Sequence, residues 1–318
     1  MCIFGGFLFL VTMQFSKPYK SIADQLARME ERRMIIDLPR EQALAALDSI
    51  TYYRFTGYAL AFLDKATDAY TGSLAFSDIL ALYKFDAGLR GMLADALCAI
   101  EITFRTIVSN EFASKYGPLA YLEAGNFASP AIHQKTLAKI QSEFARSKQP
   151  CAEHFRAAYD APPLWALADV TTFGSMSMLM KGMKREDQNA ISSHYGMRGD
   201  YLASYMQHAT VLRNLCAHHC RVFDFPYSRL KVPPQEYLFK PLNEWRKAGL
   251  KIRTDRPLLY QVALLYRLLK PTARLVFDRE AWRMKICAHF KTLPATLEHR
   301  VRGYIDFPLD AATSALWI

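Results

Sequence analysis

Apolar residues recur at three- and four-residue steps through most of the chain, the period of a helix with one buried face. The longest such run opens near Ser77, where Leu82, Phe85, Leu89, Leu93, Ala96 and Ile100 form one stripe. It predicts a long helix that lasts until "KYGP", where Gly117 and Pro118 break it. A second stripe of Leu202, Tyr205, Met206, Ala209 and Leu212 predicts a helix from Arg198 through Val222. Nearer the start, Ser21 and Asp24 have the spacing of a capping box ahead of the charged helix "SIADQLARMEERR". Leu44 and Leu47 share a face of "PREQALAALDSI".

Shorter elements fill the remainder. In "TYYRFTGYALAF", Gly57 amid Tyr52, Tyr53, Phe55 and Tyr58 predicts a tight turn wedged into a core; the tyrosines could stack on bases, but core packing is the better use of such a cluster. "GNFASP" and "KQPC" punctuate short helices. Pro162 and Pro163 suit the start of "PPLWALADVTTFGSMSMLM", which Gly174 interrupts and in which Trp165 and Phe173 read as core. Beyond Pro226 the proline-bearing "SRLKVPPQEYLFKPLNEW" reads as a connection, followed by helices around "LLYQVALLYRLLK" and "REAWRMKICAHF". The basic stretches "KGMKRED" and "RLLKPTARL" read as solvated faces. Strand signals are sparse, and no repeat or glycine-rich phosphate loop is evident. The fold class is therefore all-α.

Composition changes this picture only in part. A chain of 318 residues buries a large core, as one large domain or two modest ones. Lys and Arg outnumber Asp and Glu by 40 to 30, a net charge of +10 that favours an anionic partner. Six cysteines, at 2, 98, 151, 216, 220 and 287, include no C-x-x-C pair, which points to reduced thiols in a cytoplasmic protein. Residues 1–13 are apolar but too short to span a bilayer, and they lack the charged start and cleavage site of a secretory signal. Residues 1–15 are read as an upstream extension, with Met13 as an alternative start. No stable membrane insertion is expected.

The densest chemistry is "RNLCAHH", residues 213–219. Cys216, His219 and Cys220 fall at metal-compatible helical steps, but a structural zinc site needs ligands from a second element, and His194, His208 and His299 stand alone. No metal and no cofactor is expected. Cys216 and His218 lie about 200° apart round a helix and cannot form a nucleophile–base pair, so Cys216 reads as a buried structural thiol. Asn214, His218 and Arg221, at i, i+4 and i+7, stack on one face. Asn214 could then set the tautomer of His218. A histidine titrating near neutrality can move the proton of a ribose 2′-hydroxyl, and Arg213 can hold the scissile phosphate. The plain alternative is a helix end whose basic residues complement the C-terminal dipole. Glu101 and Arg105, four apart on the long helix, share a face.

RNLCAHH followed by Arg221 resembles the R-N-x-C-A-H-H-x-R signature of the Abi-like (AbiD/AbiF-type) abortive-infection proteins. "KPYKSIADQLARMEERRMIID", "YYRFTGYALAF", "YKFDAGLRGMLADALCAIEITFRT" and "PPLWALADVTTFGSMSMLM" are similar to further elements of that family, in its order, from about residue 16 to 224. The resemblance implies an all-α, HEPN-like helical bundle over 16–235 with additional N- and C-terminal helices, the C-terminal region 236–318 packing on the same domain. It implies R-x(4–6)-H ribonuclease chemistry, which Arg213 satisfies with His218 at four intervening residues or His219 at five. His218 is preferred for its stacking with Asn214. It further implies a homodimer whose two motifs complete one site, and an antitoxin RNA or protein as a partner. Glu101 and Arg105 match the family's E…R pair and either support Arg213 or the phosphate, or form a structural ion pair. Where the family tends to have Asn after an apolar and an aromatic residue, this chain has Asp224 after Val222 and Phe223.

The function so implied is phage defence by a metal-independent endoribonuclease toxin that cuts RNA through 2′-hydroxyl attack. The alternative is a non-catalytic RNA- or protein-binding module of a defence or toxin–antitoxin system. A small-molecule transferase role, suggested because some HEPN-type proteins accompany nucleotidyl transfer, ranks last, since no Gly-Ser nucleotide motif is present.

Overall fold

The computed structural model describes residues 18–226, 258–294 and 297. The expected extension over 1–15, the connection beyond Pro226 and the end of the C-terminal region lie outside the described residues. The chain divides into two compact units, Met1–Leu80 and Ala81–Ile318.

In the first unit, α1 (Ile22–Glu31) opens on the expected capping box: Ser21 Oγ accepts from Asp24 N at 3.2 Å, and Ser21 N donates to the Asp24 carboxylate at 3.0 Å. Helix α2 (Arg40–Ser49) buries Ala43 and Leu47. The aromatic segment after it is not a turn but a helix, α3 (Tyr52–Ala59), with Gly57 inside it. Its periodicity explains the result: Phe55 and Tyr58 point inward at a three-residue step, while Tyr53 stands on the opposite side, 78% exposed. A two-stranded antiparallel hairpin, β1 (Leu63–Asp64) and β2 (Ala69–Tyr70), follows. Asp64 closes its turn by accepting from Ala66 N and the Thr67 hydroxyl.

Helix α4 (Phe76–Tyr116) is 41 residues long, about 60 Å, and ends at Gly117 as the breaker predicts. Every member of its expected stripe, from Leu82 to Ile100, is buried. In the second unit α5 (Pro130–Arg146) and α6 (Pro150–Ala158) each begin on a proline. The "PPLW" segment forms two helices, α7 (Leu164–Val170) and α8 (Phe173–Gly182), which separate at Thr171–Thr172 rather than at Gly174. The Thr172 hydroxyl caps α8, and Glu143 of α5 accepts from both Thr172 N and that hydroxyl at 3.0 Å. Gly174 lies within the first turn of α8. A Cβ there would meet the Thr210 methyl at 3.4 Å, an ordinary contact between α8 and the helix that carries Thr210. Phe173 is core as expected, but Trp165 is not: half of it faces solvent.

Helices α9 (Arg185–Ser193) and α10 (Gly199–Ala217) complete the bundle before the C-terminal helices. Leu202, Tyr205, Met206, Ala209 and Leu212 of α10 are all buried. Helix α11 (Leu258–Leu268) packs on α10, and α12 (Arg279–Phe290) packs on α4. The Trp282 indole donates to the Met92 carbonyl at 2.8 Å, and Phe85 stacks on His289 with 4.7 Å between ring centres. The all-α class holds. Among the described residues, no helix is long and apolar enough to cross a membrane.

Candidate active site

The second stripe ends five residues sooner than its pattern predicts. Helix α10 stops at Ala217, with His218 as its C-cap and His219 in the left-handed region at φ 54°. His219 N donates to the Cys216 carbonyl at 3.1 Å and Cys220 N to the Leu215 carbonyl at 2.8 Å. That pair of reversed bonds is a Schellman C-cap, in which glycine is the usual left-handed residue. Holding a histidine there costs about 1 kcal/mol. His219→Gly is therefore expected to raise stability by up to about that amount in urea denaturation; an unchanged or lower midpoint would mean that contacts of the ring outweigh the backbone cost.

Termination at Ala217 dismantles the expected three-residue face. Asn214 lies on α10 and His218 at its cap, but Arg221 lies beyond the helix, so the i, i+4, i+7 stack does not form. Asn214 and His218 are both exposed, and what joins them is the backbone bond from His218 N to the Asn214 carbonyl at 2.9 Å. Among the described residues the Asn214 side chain makes no hydrogen bond to the imidazole, so the expected tautomer setting is not made within one chain.

Arg213 is held from another direction. Its Nε donates to Oε2 of Glu101 at 3.2 Å, across from α10 to α4. The other Glu101 oxygen accepts from Nη2 of Arg105, which also donates to the Thr171 carbonyl at 2.6 Å between α7 and α8. Glu101 is buried, so its charge requires such partners. One carboxylate shared by two guanidiniums leaves the cluster with a net positive charge. The Arg213 side chain is 45% exposed, and its two Nη groups have no partner among the described residues. Tethered at Nε and open at Nη, the guanidinium presents its fork to solvent, the geometry that suits a phosphate. Glu101 and Arg105 form an ion pair, and the Glu101 carboxylate also holds Nε of Arg213.

A second buried pair, which sequence reasoning missed, secures the chain after the motif. Asp86 is fully buried on α4 and paired with Arg90 one turn on. Its carboxylate also accepts from Phe223 N at 2.8 Å and Val222 N at 3.4 Å. Asp86 thus fixes the segment that follows Arg221. The i, i+4 spacing in "FDAGLR" hints at the pair, but nothing local names the backbone it clamps. Asp224 then turns the chain at φ 51°. Asparagine and aspartate tolerate that region best among non-glycine residues, so the family's preference for Asn here has a backbone reason that Asp also satisfies.

Cys216 lies buried above this pair. Burial pushes its thiol up to about 12, Asp86 adding to the effect and Arg90 opposing it. A protonated, buried thiol is neither nucleophile nor metal ligand. A thiol-directed reagent at pH 8 is expected to label Cys220, which is exposed, and to leave Cys216 unmodified until the protein unfolds; peptide mapping by mass spectrometry checks this. The folded thiol stays protonated where the unfolded one ionises near 9.0, so its contribution to stability is complete below that pH and is lost as pH rises towards 12. Among the described residues no group of three His, Cys, Asp or Glu side chains is arranged to hold a metal ion.

A model of the family described as Abi-like protein matches residues 45–224, a span that takes in Glu101, Arg105, Arg213 and the whole turn through Asp224. Neither the curated proteins nor the solved structures yield a match.

Proposed function

The chain belongs to the Abi-like protein family, whose name points to abortive infection in phage defence, and on that premise we propose that it is a metal-independent, HEPN-type endoribonuclease. The observation that carries the reading is Arg213, anchored through Nε on buried Glu101 with its Nη groups open, five residues before the exposed His218. In this reaction His218 takes the proton of a ribose 2′-hydroxyl. The freed oxygen attacks the adjacent phosphorus, the bond from phosphorus to the 5′-oxygen breaks, and a second histidine protonates that leaving oxygen. The products are a 2′,3′-cyclic phosphate and a 5′-hydroxyl. Arg213 binds the phosphate and stabilises the charge that develops on it. Arg221 supplies a further cation from the segment that Asp86 secures.

Within one chain, His218 lacks an orienting side chain among the described residues. That fits a homodimer in which the second copy's motif supplies the other histidine and completes the site. It equally favours the second reading, a non-catalytic RNA- or protein-binding module that retains the motif. Restraint by an antitoxin RNA or protein, and action in the cytoplasm, belong to the same proposal. Labelled RNA incubated in EDTA with wild type, Arg213→Ala and His218→Ala separates the readings. Cleavage by wild type that both substitutions abolish supports the nuclease; RNA bound and left whole by wild type supports the binding module.

A further inference from the structure

Glu143 has a tie to the arginine cluster that the function above does not use. It lies on α5, its side chain 8% exposed. Its Oε2 accepts from Thr172 N, and its Oε1 from the hydroxyls of Thr172 and Ser175, each at 3.0 Å. Thr172 N belongs to the same peptide unit as the Thr171 carbonyl, which accepts from Nη2 of Arg105 at 2.6 Å. One peptide plane in the break between α7 and α8 is thus clamped at both ends, by a carboxylate from α5 and a guanidinium from α4. A carboxylate on the N–H polarises the unit and makes its carbonyl the stronger acceptor.

The clamp bears on Arg213 because Arg105 has little else to hold it. Among the described residues its hydrogen bonds all leave from Nη2, to Glu101 and to the Thr171 carbonyl, while its Nε is buried without a partner. The place of that carbonyl therefore sets where Nη2 lies, and with it the rotation of the Glu101 carboxylate. With Oε1 taken by Arg105, Oε2 is turned to Nε of Arg213. We propose that Glu143 is a positioning residue for Arg213, acting through the 171–172 peptide, Arg105 and Glu101 in turn. Without Glu143 the peptide is free to tilt, Arg105 falls back on both Glu101 oxygens, and Arg213 loses its anchor. A carboxylate that only capped α8, where the helix dipole favours negative charge, would leave Arg213 as it is.

Two readouts test this, and only the second rests on the ribonuclease reading. The first is the Nε–H signal of Arg213 in the proton–nitrogen correlation spectrum of the full-length protein, assigned by its absence from Arg213→Ala. In Glu143→Ala that signal should shift and exchange faster with water. In Lys139→Ala, which removes an exposed neighbour of the same carboxylate, it should stay where it is. The second readout is single-turnover RNA cleavage. Glu143→Ala should slow wild type roughly tenfold but slow Arg213→Ala no further, since losses within one hydrogen-bond network do not add. Glu143→Gln, which keeps an acceptor for Thr172 N, should restore the signal and most of the rate. If Glu143→Ala does not fold, Glu143→Asp, its carboxylate withdrawn by one methylene, takes its place with the same expectations. An Arg213 signal alike in wild type and Glu143→Ala overturns the positioning role, even if the protein proves to be a nuclease. Equal slowing of wild type and Arg213→Ala also overturns it and leaves Glu143 as a cap of α8.

Discussion

Removing the guanidinium in Arg213→Ala is expected to slow RNA cleavage about 10²- to 10³-fold, the usual loss for one charge-stabilising donor at a reacting centre. His218→Ala should cost roughly 10² to 10⁴, as for a general base. Both residues are exposed enough that the fold should survive, and a melting curve for each variant checks that. Arg213→Lys should not restore the rate. Lysine is a point charge without a fork, so it cannot hold Glu101 with one edge and phosphate with the other. His219→Ala is the informative control: with His218 as base, it should leave far more activity than His218→Ala. Single-turnover rates on one labelled RNA measure all four. Equal rates for wild type and Arg213→Ala would remove the arginine from the chemistry.

Asp86→Ala is expected to destabilise the protein by about 3–5 kcal/mol, the cost of stranding one member of a buried ion pair. The substitution leaves Arg90 buried without its carboxylate and takes the acceptor from Val222 N and Phe223 N at once. Lys84→Ala, two residues away but exposed, should stay within about 0.5 kcal/mol of wild type. Urea denaturation followed by circular dichroism measures both. A loss for Asp86→Ala no larger than that of Lys84→Ala would show that the clamp does not hold the segment after Arg221.

The parts of this molecule that follow from periodic burial were legible in advance. The stripes on α4 and α10 reached the core residue by residue because a helix that buries one face must repeat every three to four residues. Polar contacts between distant segments were not legible. Glu101 and Arg105 could be paired by spacing, yet the reach of Arg213 to Glu101 depends on how α10 crosses α4. Asp86 was hidden for the same reason, its backbone partners lying far along the chain. The end of α10 was missed because His219 adopts a left-handed conformation without being glycine, while Val222 prolongs the apolar period past the true stop. The break between α7 and α8 was placed at Gly174 on residue type alone, whereas Thr172, a good cap, and Glu143 from another helix set it. Local rules located these helices, but a long-range polar contact set the break between α7 and α8, and a left-handed histidine set the end of α10.

The most direct test of the central claim is the chemistry of the RNA ends made by wild type in EDTA. The expected products are 5′ fragments that end in a 2′,3′-cyclic phosphate and 3′ fragments that begin with a 5′-hydroxyl, with none formed from a strand methylated at every 2′-oxygen. Fragments with 3′-hydroxyl and 5′-phosphate ends, or cuts in the methylated strand, would contradict it.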